Sequence, residues 1–209
     1  LTWDKCSVVN SPTFLATEPL VASLNIAWSI QKSKSNMTAK DKQNIFIKDY
    51  LKPKLKELGF KTTGNNWWKN MNEFFVVINL QNSQWNEKNE LSFCFNLGIA
   101  LTEKLEDKEK KKATHFDLAV PLREDAFLRK DRLKHKYRQD SWLGYLINEK
   151  TEIEDFIKEF KIDFEENILP KLLRMESLND CIEFYSQFDL WKDTFERQVE
   201  EVKKNKASH

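Results

Sequence analysis

The chain has 209 residues, and its 34 basic side chains against 33 acidic ones leave a formal net charge of only +1. This balance excludes a global field that attracts nucleic acid, so phosphate binding would require a local basic patch. Three cysteines, Cys6, Cys94 and Cys181, lie far apart and form no Cys-x-x-Cys pair. They argue against a disulfide framework or a zinc site and favour a reducing, cytoplasmic setting.

The first 36 residues differ in composition from the rest of the chain. Few of the charged residues fall in this segment, and the polar run 33–36 precedes Met37. We expect residues 1–36 to be a poorly ordered or non-native N-terminal extension and Met37 to be the biological start. Residues 37–209 are then expected to form a single α+β domain. The apolar run 20–28 is too short for a bilayer, which needs about 20 apolar residues.

The predicted elements follow a simple order along the chain. Residues 40–58 have a helical apolar stripe, which Pro53 should kink and Gly59 should end. Strand signals come next, and the clearest of them alternates apolar and polar residues; they lie at 60–63, 67–68, 74–81, 91–99 and 115–122. The charge-rich run 103–112 is predicted to be a solvated loop.

The C-terminal third is predicted to be helical. Thr151 with Glu154, and Ser177 with Asp180, have the spacing of capping boxes, and Pro170 predicts a break or kink. The order of elements predicts an α+β fold with an N-terminal helix and an antiparallel sheet of about four to five strands. The C-terminal helices are expected to pack on one face of that sheet.

Several segments resemble the bacterial domain-of-unknown-function family 4304. They are YLKPKLKELGFK at 50–61, VINLQNSQWN at 77–86, FCFNLG at 93–98, LRKDR at 128–132 and DSW at 140–142. The resemblance covers about residues 40–150 and fades in the C-terminal helices. Lys134 stands where the family pattern has a glycine. The resemblance implies an α+β fold and a cytoplasmic bacterial origin, and it implies no activity.

The polar side of the sheet is the first candidate site. Strand alternation places Asn79 and Gln81 on one face of one strand, and Ser92 and Asn96 on one face of another. If the apolar faces coincide, these side chains line the opposite face together with Trp85 from the adjoining loop. Amides offer neutral donors and acceptors that suit a peptide or the edges of nucleic-acid bases. The alternative is that they bond to neighbouring backbone groups or face water.

An arginine-rich segment, residues 123–138, is the second candidate. Arg129 and Arg132 are the residues we expect to hold a phosphate or carboxylate, since the guanidinium binds such groups through two parallel hydrogen bonds. Glu124, Asp125, Asp131 and Asp140 are interleaved and offer internal neutralisation instead. No glycine-rich loop is present to cradle a phosphate.

His115 and Asp117 are a third, weaker candidate, because two residues apart on a strand they would share a face suited to acid–base chemistry. No nucleophile or oxyanion site accompanies them, so we predict no catalytic residue, no metal ligand and no cofactor. The sequence favours a non-catalytic binding module that recognises a protein partner through the sheet face and the Trp85 loop. An enzyme or sensor that binds a small anion at the Arg129–Arg132 cluster is the alternative. No membrane contact or strong nucleic-acid signal is predicted.

Overall fold

The computed structural model describes residues 37–105, 111–139 and 144–207. The predicted N-terminal extension, residues 1–36, lies outside the described residues, so that boundary stays a prediction. The same holds for Asp140 and for the DSW segment at 140–142. None of the described helices is long and apolar enough to cross a membrane.

The described residues form four helices, and two of them contain a π-helical stretch. Helix α1 consists of Ala39–Ile45, the π stretch Phe46–Leu51 and Lys52–Glu57. Helix α2 consists of Ile153–Asp163, the π stretch Phe164–Ile168 and Leu169–Leu173. Helices α3, Leu178–Tyr185, and α4, Lys192–Ala207, follow.

Each π stretch ends just before a proline, Pro53 in α1 and Pro170 in α2. Proline has no backbone N–H, and its ring clashes with the carbonyl four residues earlier in an α-helix. The wider π turn, in which Lys52 N–H donates to Ile47 O and Leu169 N–H to Phe164 O, accommodates both prolines. Gly59, with φ 83°, ends α1 as predicted, since a left-handed residue closes the last turn.

The predicted antiparallel sheet is confirmed and has six strands. They are β1 Lys61–Thr63, β2 Asn66–Asn70, β3 Phe74–Asn82, β4 Glu90–Leu101, β5 Leu122–Arg123 and β6 Tyr145–Asn148. The order is β1-β2-β3-β4-β5, and β6 also pairs with β4, at Glu90–Phe93, further along the same edge. The α+β prediction is therefore correct. The two short strands, β5 and β6, both pair with β4.

One face of the sheet is closed by the helices. Odd-numbered residues of β4 and even-numbered residues of β3 meet the aromatic side chains of α1 and α2 there. Phe160 is fully buried, and its ring lies 4.8 Å from Phe46 and 5.4 Å from Phe95, centroid to centroid. Edge-to-face aromatic pairs add about 0.5–1.5 kcal/mol each beyond the area that they bury. This face is the main core.

The opposite face is divided into an apolar half and a polar half. Trp68, Phe75, Val77 and Ala100 form a small second cluster with Leu105 and Ala113. Trp67 and Trp68 are both buried, but alternation along β2 places them in different cores. The remainder of this face, towards the β3–β4 loop, carries polar side chains.

Two local predictions are wrong. Residues 115–122 were expected to form a strand, but His115–Asp117 is a 3-10 turn and only Leu122–Arg123 is paired. Thr151 and Glu154 were expected to form a capping box; instead the Thr151 hydroxyl accepts from Asn148 N–H, at 3.0 Å, and Glu152 stands at the N-cap without a side-chain bond. The box at Ser177 and Asp180 is present.

Candidate functional site on the polar face of the sheet

The pairing of β3 with β4 brings three of the predicted amides together. Asn79 lies opposite Asn96, and Gln81 lies opposite Cys94. Asn96 Nδ2 donates to Asn79 Oδ1 at 2.8 Å and to Gln81 Oε1 at 2.9 Å. Asn79 and Asn96 are only 5% and 7% exposed, whereas Gln81 is exposed. The two asparagines are therefore internal supports, and Gln81 is the amide that the face presents.

A side branch of this network extends to His115. Asn79 Nδ2 donates to Asn66 Oδ1 at 3.0 Å, and the same oxygen lies 3.3 Å from His115 Nδ1. Burial, together with the nearby Arg123 charge, lowers the pKa of His115 despite the opposing effect of Asp117. Asp117 accepts from Thr114 N–H and Oγ1, at 2.7 and 2.9 Å, and so fixes the turn. The two residues of the third candidate lie on a turn and not on a strand face.

Arg123 joins the network from β5, where it lies opposite Asn96. Its Nη1 donates to Gln81 Oε1 at 3.3 Å and contacts Cys94 Sγ. Within the described part of the chain, no carboxylate lies at ion-pair distance from this guanidinium. Burial, followed by the field of Glu124, raises the pKa of Cys94 to about 11, so the sulfur is a neutral thiol at pH 7. The cation of Arg123 is thus available to a ligand, and the thiol is not a nucleophile.

Trp85 stands at the end of this polar row in the β3–β4 loop, with 82% of its surface exposed. The loop is anchored, because Asn86 Oδ1 accepts from Ser92 N–H at 2.7 Å and Asn86 Nδ2 donates to Ser92 O at 2.9 Å. A cleft of about 310 Å³ runs between the loop and Arg123; we call it the Trp85 cleft, and its lining residues are Gln81, Asn82, Ser83, Gln84, Trp85, Phe93, Cys94 and Arg123.

The second predicted site is neutralised by carboxylates, but the interleaved ones pair with Arg129 and Arg138, and those that pair with Arg132 come from another element. Arg132 Nε lies 2.6 Å from Asp163 Oδ1, and its Nη2 lies 3.1 Å from Glu159 Oε2. Arg129 is largely exposed and pairs with Asp131 at 3.3 Å. Neither arginine lines the Trp85 cleft. The partners Asp163 and Glu159 come from α2, more than twenty residues away, so no local pattern in the sequence indicates them.

Arg138 is the most deeply buried arginine of the same segment. It pairs with Glu124 at 3.3 Å and with Asp125, and its guanidinium lies over the Tyr145 ring, 4.8 Å from the centroid. Glu124 Oε2 also accepts from Phe95 N–H at 2.7 Å, at the point of β4 that neither β5 nor β6 covers. Glu124 therefore satisfies an N–H group at the edge of β4, and its cluster with Arg138 and Asp125 is structural.

The sequence missed one member of the site. Arg123 was noted within the arginine-rich segment but was not assigned to the amide face, because its register with Asn96 depends on a two-residue strand. No set of three or more His, Cys, Asp or Glu side chains placed to hold a metal ion occurs in residues 37–105, 111–139 and 144–207. The available chemistry is therefore an indole, amides and one unpaired guanidinium.

A family model described as "Domain of unknown function (DUF4304)" matches residues 51–174. The matched segment begins inside α1 and ends after α2, so it includes the whole sheet, the amide row and the Trp85 loop. No curated protein matches the chain. No solved structure matches it either.

Proposed function

We propose that this chain, which belongs to the DUF4304 family, is a non-catalytic binding module that recognises a protein partner through the Trp85 cleft. One observation carries the proposal: an exposed indole and a guanidinium without a carboxylate partner line the same cleft. Tryptophan and arginine are the side chains most enriched at the energetic centres of protein interfaces.

The network behind the cleft supports this role because it fixes Gln81. Both Asn96 and Arg123 donate to Gln81 Oε1, so the side-chain Nε2 is left to face the cleft as a donor. An amide that is already oriented loses little conformational entropy when it binds, which favours affinity. Asn79 and Asn96 contribute by holding Gln81, and Gln81, Trp85 and Arg123 make the contacts.

A small anion bound at Arg129 and Arg132 is the alternative, and the geometry gives it less support. The Arg132 guanidinium already has two carboxylate partners, and an anion would have to displace them. The two buried free thiols, Cys94 and Cys181, are consistent with a reducing cytoplasmic setting, which forms part of the proposal.

Affinity capture with the full-length chain tests the proposal. The wild type is compared with Trp85→Ala and Arg123→Ala, and Arg129→Ala is the matched control because its arginine is exposed and outside the cleft. We expect one protein from the source cell to be enriched by the wild type and by Arg129→Ala, and lost with both cleft variants. Loss with Arg129→Ala alone, or equal enrichment by all four chains, contradicts the proposal.

Salt dependence then separates the two classes of ligand. A ligand held mainly by phosphate contacts loses affinity steeply as salt rises, whereas an interface of indole and amide contacts with one ion pair responds weakly. Calorimetric titration of the purified partner at two salt concentrations measures this difference. A steep loss of affinity that Arg132→Ala abolishes moves the site to the arginine cluster.

A further inference from the structure

A second cleft adjoins the first on the other side of Trp85. Its volume is about 240 Å³, and it shares Ser83 and Trp85 with the Trp85 cleft; its other lining residues are Asn86, Glu87, Glu90, Ser92 and Gln139. We call it the Glu87 cleft. Because the two clefts have common walls, one ligand that passes over the indole enters both.

The two clefts have opposite charge. Arg123 supplies an unpaired cation to the Trp85 cleft, and Glu87 and Glu90 supply two carboxylates to the Glu87 cleft. Both glutamates are exposed, and among the described residues neither has a basic partner at ion-pair distance. Gln139, in the same wall, has a buried Oε1 without a hydrogen-bond partner, and none of the residues that line this cleft is basic. This cleft therefore favours a cationic donor.

The amides between the clefts favour an extended ligand over a helical one. Gln81 and Gln84 are exposed and line the Trp85 cleft, and Gln81 Oε1 already accepts from Asn96 and Arg123, which leaves Nε2 as the remaining donor. A helix satisfies its own backbone N–H and C=O groups, whereas an extended segment leaves them free to pair with such amides. In an extended chain, alternate side chains point the same way and lie about 6.5–7 Å apart.

We infer, building on the proposed function, that the Trp85 and Glu87 clefts bind an extended segment of the partner whose acidic side chain, Asp or Glu, pairs with Arg123 and whose basic side chain, two residues away, enters the Glu87 cleft. The indole of Trp85 packs between the two side chains against the backbone of the segment. Specificity then comes from the order and spacing of two charges, since each wrong sign places like charges together.

Capped pentapeptides on a threonine background test this inference with the full-length chain. The probe carries Asp at its second position and Lys at its fourth, and both ends are blocked. Three comparison pentapeptides carry Asp at both positions, Lys at both positions, or the neutral pair Asn and Gln. A fourth, longer comparison peptide is helical and carries its two charges four residues apart. Binding is followed by NMR through the side-chain amide signal of Gln81 and the indole signal of Trp85.

We expect the Asp–Lys probe to bind about tenfold more tightly than any comparison peptide. The variant Arg123→Glu should prefer the peptide with two lysines, and the double variant Glu87→Lys/Glu90→Lys should prefer the peptide with two aspartates. These side chains are not paired with other charges in the described structure, so the variants keep the fold, which circular dichroism verifies.

Four positive binding results overturn the inference, and so does the absence of peptide binding. Equal binding of the neutral peptide, tighter binding of the helical one, stronger binding when the C-terminus is left free, or an equal response to inorganic phosphate would each assign a different ligand. If no peptide binds while Trp85→Ala still abolishes partner capture, the extended two-charge ligand is wrong and the binding-module proposal stands. If capture is also unaffected, both are wrong.

Discussion

The two faces of the sheet differ in how completely their side chains are paired. On the helical face, aromatic rings from α1, α2 and β4 enclose one another, and Phe160 alone contacts Phe46, Phe95, Tyr145 and Phe164. On the polar face, the buried amides are satisfied but Trp85 and the Arg123 charge are left without an internal partner. Burial accounts for the first face, and the binding module that we propose would use the unpaired groups of the second.

The arginines repeat this difference on a smaller scale. Arg138 and Arg132 have two carboxylate partners each; those of Arg138 lie in the same segment, and those of Arg132 lie in α2. Arg123 has only an amide oxygen and a thiol as partners. The arginines of one segment therefore differ in whether carboxylates neutralise them, which composition alone does not reveal, and recognition by Arg123 stays a proposal.

The largest expected effect of a single substitution lies on the helical face. Phe160→Ala removes a fully buried ring and leaves a cavity among six aromatic side chains, so we expect a loss of about 3–5 kcal/mol of unfolding free energy. Urea denaturation measures it. Phe116→Ala is the matched control, because its ring is 87% exposed and should change stability by less than about 0.5 kcal/mol. Equal effects of the two would contradict the assigned core.

Substitution of the buried Arg138 should lower the free energy of unfolding nearly as much. Arg138 and Glu124 are both about 1% exposed, so Arg138→Met leaves a buried carboxylate without its cation and should destabilise the fold by about 3–5 kcal/mol. The double variant Arg138→Met/Glu124→Gln should recover part of the loss, because the neutral amide still accepts from Phe95 N–H. Arg129→Met, from an exposed pair, should be nearly neutral. Equal losses of unfolding free energy for Arg138→Met and Arg129→Met would show that burial does not distinguish these two arginines.

Acid should weaken the fold partly through Asp163. Burial alone would raise its pKa, but hydrogen bonds from His135, Arg132 and Tyr145 outweigh burial and lower the pKa below the usual 3.8. A depressed pKa means that the carboxylate stabilises the fold above about pH 4 and that this contribution is lost as pH falls further. Asp163→Asn should therefore flatten the stability profile below about pH 4.

Urea midpoints measured across that range provide the test. Asp131→Asn is the control, since Asp131 is exposed and pairs only with Arg129, and its profile should follow the wild type. A wild-type profile that Asp163→Asn does not change would show that other carboxylates carry the acid sensitivity.

The sequence predicted those parts of the fold that depend on local pattern. Period-2 alternation located β3 and β4, and it correctly placed Asn79, Gln81 and Asn96 on the face opposite the core because both strands are long. The same alternation misled at 115–122. There the backbone follows β4 through single bonds, such as Ala119 N–H to Ile99 O at 2.8 Å, and Pro121 cannot donate to a ladder.

The rest of the site could not be predicted because it depends on non-local register. A two-residue strand, β5, decides that Arg123 lies beside Gln81, and no periodicity can be measured over two residues. The partners of Arg132 come from α2, so the charge balance of the arginine-rich segment could not be judged from its own residues. The Thr151 hydroxyl likewise accepts from Asn148 N–H and does not cap the helix.

The smallest expected stability effect connects the two roles of the polar face. Asn96→Ala removes both donations from Nδ2 and leaves Asn79 Oδ1 buried without that donor, so we expect a loss of about 1–3 kcal/mol in urea denaturation. It should also free Gln81 to rotate, because only Arg123 then holds the amide oxygen. Partner affinity should fall although Asn96 itself is buried. Gln84→Ala, at an exposed position in the β3–β4 loop, is the stability control and should change the free energy of unfolding by less than about 0.5 kcal/mol. If Asn96→Ala weakens the fold but leaves partner affinity unchanged, Gln81 does not need its support, and recognition rests on Trp85 and Arg123 alone.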